Sequence, residues 1–182
     1  MHSLNEQLFF FINNLAGQYV ALDSFFVFVT QFFVPALIIF STIYFFVVLP
    51  KNAKTLKSKI NSYTDGTLFL FSISLVGVVI QLIKTNIPFP RPSQILDGIT
   101  SLSSYGNYDS FPSMHSALAF AVAVFIYQYS KKAGIMALGL AILVALSRVF
   151  VGVHFPVDVL VGAFIGSIVS WGIFTVFKRD TI

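Results

Sequence analysis

Five apolar runs, Ser24–Leu49, Tyr63–Lys84, Ser113–Tyr129, Ala133–Val153 and Pro156–Phe177, dominate the chain. Within hydrocarbon no water satisfies backbone N–H and C=O groups, so runs of this length fold as helices that cross a core of about 30 Å. The composition fits: 57% of the 182 residues are hydrophobic and 10% are charged, unlike a soluble domain. The expected fold is all-α, a single-domain integral membrane helical bundle over residues 1–182 with five transmembrane helices. A sixth span would have to come from residues 3–22.

The N-terminal stretch reads differently. Leu4, Leu8, Phe11, Ile12 and Leu15 share one helical face while Asn5, Glu6 and Asn13 lie elsewhere, so residues 3–16 are expected to form an interfacial helix. Asp23 is placed to cap the helix that follows. Ser24–Leu49 is longer than the hydrocarbon requires, which calls for tilt, a kink at Pro35 or a start in the interface. Asp65 is expected in the first turn of the second span, complementing the helix dipole. Residues 85–111, rich in Pro, Ser, Gly and Tyr, read as an outer-side loop, and loops of this length are commonly functional. Gly162 and Gly166 form a G-x-x-x-G whose expected use is close helix packing, with a dimer seam as the alternative.

Net charge is +4, so the placement of each cation decides whether nucleic acid is a candidate partner. Lys51, Lys54, Lys57, Lys59, Lys131, Lys132, Lys178 and Arg179 fall in loops or the tail. With five spans they share one membrane side, which the positive-inside rule makes cytoplasmic, together with the C-terminus. The remaining cations, Lys84, Arg91 and Arg148, end up on the opposite side. No basic patch is left for nucleic acid, and nothing in the sequence calls for a protein partner. The chain has no cysteine, which removes disulfides, thiolate nucleophiles and cysteine metal sites.

Three polar islands interrupt the apolar pattern at helix ends. Lys84 and Arg91-Pro92 stand as K-x6-R-P; Pro112-Ser113-Met114-His115 opens the third apolar run; Ser147-Arg148 is followed by His154 and Asp158. Ionisable groups in membrane surroundings are costly and mark sites. Asp158 lies one helical turn after His154, near enough to hold one ring nitrogen while the other is left to react. A structural ion pair at a helix end is the alternative reading of that pair.

Cations with hydroxyl and N–H donors suit a phosphoryl group, whose oxygens carry the charge in transfer. The outer-side acids Asp97, Asp109 and Asp158 are scattered, and two histidines are too few for zinc, so no metal or other cofactor is expected. Together the islands resemble the three-part signature of the type 2 phosphatidic acid phosphatase superfamily, which also includes vanadium haloperoxidases. The resemblance spans residues 84–158 and departs from the family at Met114, where glycine is usual.

The resemblance implies a membrane phosphatase working without metal through a phosphohistidine. His154 would be the nucleophile, Asp158 its orienter and His115 the general acid and base, with Lys84, Arg91, Ser113 and Arg148 binding phosphate. It further implies a multi-pass protein of the bacterial cytoplasmic membrane, acting on a lipid phosphate from the extracytoplasmic side. The small size and the segment Leu22-Asp23-Ser24 are similar to the undecaprenyl diphosphatase subgroup, which ranks that lipid first and phosphatidylglycerophosphate or phosphatidate second. A lipid phosphotransferase using the same site and an anion channel or transporter are the rival readings.

Overall fold

Capping side chains and prolines set the helix ends in the computed structural model, which describes residues 3–103 and 109–178. His2, part of the outer-side loop and Arg179 of the basic tail lie outside the described residues. Helix α1 (Leu4–Asn13) opens on a reciprocal box in which Ser3 Oγ accepts the Glu6 N–H and the Glu6 carboxylate accepts the Ser3 N–H. Helix α2 (Val20–Ile43) passes Pro35 without ending. A π-helical turn (Tyr44–Val48) and the short α3 (Leu49–Lys51) extend it into one helical run from Val20 to Lys51. Asp23 does not cap α2, which starts after Tyr19; its carboxylate instead accepts the Gly17 N–H at 3.0 Å.

Helix α4 (Leu56–Asn86) begins earlier than the apolar run because Thr55 and Ser58 form a second capping box within the lysine-rich segment. Asp65 therefore does not sit in a first turn. It is buried inside the helix, close enough to Tyr129 to act on it electrostatically. A short turn α5 (Pro92–Ile95) follows, then α6 (Met114–Tyr129), α7 (Lys131–Phe150) and α8 (Pro156–Lys178). Ser130 both ends α6 and begins α7, its hydroxyl accepting the Ala133 N–H.

The result is an all-helical membrane bundle in which the run containing α2, together with α4, α7 and α8, is long and apolar enough to cross. Helix α6, with 16 residues, spans only about 24 Å. It is the central helix: Ala117, Ala119, Ala121, Val122, Ala123 and Phe125 are fully buried, and α8, α7, α4 and α2 surround it. A helix enclosed by protein need not match the hydrocarbon thickness.

Two close approaches fix this packing. A Cβ at Gly162 would strike the Ser113 carbonyl and one at Gly166 the Ala117 carbonyl, so α8 lies directly on the α6 backbone. The glycine face is spent inside the protein, which overturns a dimer seam there. Gly152, at φ +81°, takes the chain out of α7, and a Cβ on it would fall 2.8 Å from the Thr100 carbonyl.

Helix α1 buries Phe9 and Asn13 against this corner and turns Leu4, Leu8 and Phe11 outward, as does Leu15 just beyond it. The Asn13 amide donates to the carbonyls of Thr100 and Phe150, both at 2.8 Å, and its oxygen accepts the Thr100 N–H.

Candidate active site

The three islands meet at one end of the bundle. Lys84 comes from the last turn of α4, Arg91 from the residue before α5, Ser113 and His115 from the start of α6, and Arg148 from the last turn of α7. His154 lies in the connection that Gly152 opens, and Asp158 in the first turn of α8. The lysines at 51–59 and 131–132 occupy the opposite helix ends.

Hydrogen bonds stitch the islands together. The Lys84 ammonium donates to the Asp109 carbonyl. Arg91 Nη1 donates to the Val153 carbonyl at 3.0 Å, while its Nη2 and Nε grip Asp109 Oδ1 at 2.6 and 3.1 Å. The Ser113 N–H donates to the Asp158 carbonyl at 2.9 Å. Arg148, 1% exposed, donates through Nη1 to Thr30 Oγ1 of α2 at 2.6 Å. Cations at this depth persist only when held by such acceptors.

Around His154 the geometry refines the expected pair. Nδ1 lies 3.5 Å from Asp158 Oδ2, beyond a normal hydrogen bond. That oxygen is already taken: Ser110 Oγ donates to it at 2.5 Å and the Phe155 N–H at 2.9 Å. Ser110 Oγ also lies 3.4 Å from His154 Nδ1. The carboxylate thus fastens the start of α8 and, with Ser110, faces one edge of the imidazole, which leaves Nε2 as the free edge. Burial, followed by the charges of Arg148, Arg91 and Lys84, pushes the His154 pKa well below its ordinary value, so the ring is neutral.

His115 is partly exposed, and Arg148, His154, Lys84 and Arg91 all act on it electrostatically, which puts it in the same cluster. Every site residue expected from the sequence is gathered here. Ser113 Oγ and Asp158 Oδ1 are buried with no hydrogen-bond partner among the described residues. No three His, Cys, Asp or Glu side chains converge among the described residues, and the convergent groups are N–H and O–H donors. Such a set is built for an anion.

Sequence reasoning missed Thr30, Asp109 and Ser110. Asp109 and Ser110 adjoin Pro112-Ser113, and Thr30 is a polar residue in an apolar run; those were the available signals.

Comparison with known proteins decides the family, because a model described as the PAP2 superfamily matches residues 65–182. The chain belongs to the PAP2 superfamily. Among curated PAP2-type relatives, it is 28% identical over 163 residues to the bacitracin transport permease protein BcrC of Bacillus licheniformis, covering 90% of this chain and 75% of that one. It is also 28% identical over 158 residues to the undecaprenyl-diphosphatase BcrC of Bacillus subtilis (strain 168), covering 86% and 76%. Among solved structures, that of Aquifex aeolicus LpxE superposes with a TM-score of 0.76 at 28% identity, covering 96% of each chain. The protein is a PAP2 membrane lipid phosphatase, and the channel reading gives way to an enzyme.

Proposed function

We propose that this phosphatase releases phosphate from a lipid diphosphate or phosphomonoester by two-step transfer through His154, without a metal. The observation that carries the reading is one buried imidazole with Ser110 and Asp158 facing its Nδ1 edge, set among three buried cations. In the first step Nε2 attacks the terminal phosphorus, its bond to the oxygen of the leaving group (the lipid alcohol of a phosphomonoester, the lipid monophosphate of a diphosphate) breaks, and His115 protonates that oxygen. In the second, His115 takes a proton from water, the hydroxide attacks the phosphohistidine, and the nitrogen–phosphorus bond breaks to release inorganic phosphate.

Lys84, Arg91 and Arg148 neutralise the phosphoryl oxygens, and Ser113 donates its hydroxyl. Arg91 Nε and Nη2 converge on one carboxylate oxygen, Asp109 Oδ1, so this edge of the guanidinium is aimed at an anion. Asp158 and Ser110 hold the ring and balance the imidazolium charge that develops.

Undecaprenyl diphosphate is the first-ranked substrate, supported by the similarity to an undecaprenyl-diphosphatase, with glycerolipid phosphates second. The lysine clusters at the other bundle end support, through the positive-inside rule, a site on the extracytoplasmic face.

The test is purified protein in detergent with EDTA and water as the only acceptor, offered polyprenyl diphosphate, phosphatidylglycerophosphate, phosphatidate and lipid A phosphates. Phosphate release inhibited by vanadate, and loss of about 100-fold or more in both His154→Ala and His115→Ala, are the expected results. Near-normal turnover in a folded His154→Ala variant sinks the mechanism. Transfer to an added alcohol with no release to water would make the protein a phosphotransferase.

A further inference from the structure

Beside His115 the α2 and α6 surfaces enclose an apolar groove of about 390 Å³. Val34, Pro35, Ile38 and Ile39 line it from α2, and Met114 and Leu118 from α6; His115 is the one polar side chain in its wall. Met114 also packs against the buried cluster of Val76, Ile80, Ala117 and Ala121, which joins α4 to α6. The groove volume falls near the lower end of the roughly 300–1,000 Å³ usual for ligand pockets.

We propose that this groove receives the hydrocarbon of the leaving group, and that Met114 limits it to one chain. The inference rests on the phosphatase reading above and narrows its substrate class to single-chain lipid phosphates and diphosphates, of which polyprenyl lipids are one kind. The argument is one of connectivity. A general acid must lie within about 3 Å of the oxygen it protonates, so the hydrocarbon of the leaving group starts at His115 in a phosphomonoester and one phosphate further on in a diphosphate. The apolar surface there is the groove. A polyprenyl or single-acyl lipid sends one chain past Met114. A diacylglycerol branches within a few bonds of the oxygen and must pass two chains at the same level, where the unbranched Met114 side chain takes up room that glycine would leave open.

The experiment compares lysophosphatidate with phosphatidate, which share head group and phosphomonoester and differ in chain number, with polyprenyl diphosphate as a third substrate in the same mixed micelles. Wild type, Met114→Gly, Met114→Leu and Ile39→Ala are each measured as the full chain. Wild type should favour the single-chain substrates by about 10-fold or more in kcat/KM over phosphatidate. Met114→Gly should raise phosphatidate relative to the single-chain substrates by about fivefold or more, Met114→Leu should keep the wild-type ratio, and Ile39→Ala, which opens the opposite wall outside the motifs, should shift it in the same direction as Met114→Gly.

Equal use of one- and two-chain lipids by wild type overturns the proposal. So does an unchanged ratio in both Met114→Gly and Ile39→Ala while single-chain turnover persists. If wild type releases phosphate from no lipid in a His154-dependent manner, it is the function itself that fails.

Discussion

Ser110 has two jobs in one hydroxyl: it donates to Asp158 Oδ2 at 2.5 Å and lies against His154 Nδ1 at 3.4 Å. It touches no reacting atom in the proposed scheme and is a positioning residue. Ser110→Ala should lower kcat by about 10- to 100-fold, the worth of a buried hydrogen bond to a charged group, with KM nearly unchanged. Ser110→Thr should recover part of the rate, and a fall confined to KM would contradict the assignment. His154 gives a pH prediction with a definite sign. Its pKa is lowered in the folded state, so below about pH 6.5 the unfolded chain binds a proton that the folded one refuses, and stability falls as pH falls. Melting in detergent between pH 7.5 and 5 should show a smaller loss for His154→Gln than for wild type; equal losses would contradict a buried neutral ring.

The motif residues were legible from the sequence because lysine, arginine and histidine stand out at the ends of apolar runs. Ser110, Asp109 and Thr30 were not. Their contacts reach Asp158 48 residues away, Arg91 18 away and Arg148 118 away, and no period encodes such pairings.

Among the elements, the α6–α8 contact does most to shape the site, since the backbone that Gly162 approaches belongs to Ser113. Gly162→Ala forces these helices apart and should cost about 1–3 kcal/mol by overpacking. It should also lower activity more than Gly172→Ala, where an added methyl meets nothing within 4 Å. Thermal melting and phosphate release on the two variants check this; equal effects would remove the seam from the argument.

The glycine spacing announced close packing, yet sequence could not tell an internal partner from a second copy. The start of α4 was misread for a related reason. Hydropathy marks where hydrocarbon begins, whereas the Thr55–Ser58 box begins the helix in the polar segment before it, which carries Asp65 into the interior beside Tyr129.

At the scale of the whole molecule, charge sorts by helix end. The cations of the site lie at one end and the loop lysines at the other. Because the chain contains no cysteine, single cysteines report sidedness without background. Gln94→Cys should react with a membrane-impermeant maleimide added to intact cells, and Lys54→Cys only after permeabilisation; the reverse pattern would invert the topology. The helical runs were readable because each long run must satisfy its own backbone, although four rather than five are long and apolar enough to cross and α6 is shorter. Which helix is central was not, since α6 differs from its neighbours only in the small residues that let them approach.

The buried Asn13 amide acts as a rivet. It fastens the first helix to the carbonyl of Phe150, just upstream of His154, and to Thr100 in the long connection. The same helix turns its leucines outward and braces this corner from within, so loosening α1 should be felt at the His154 ring.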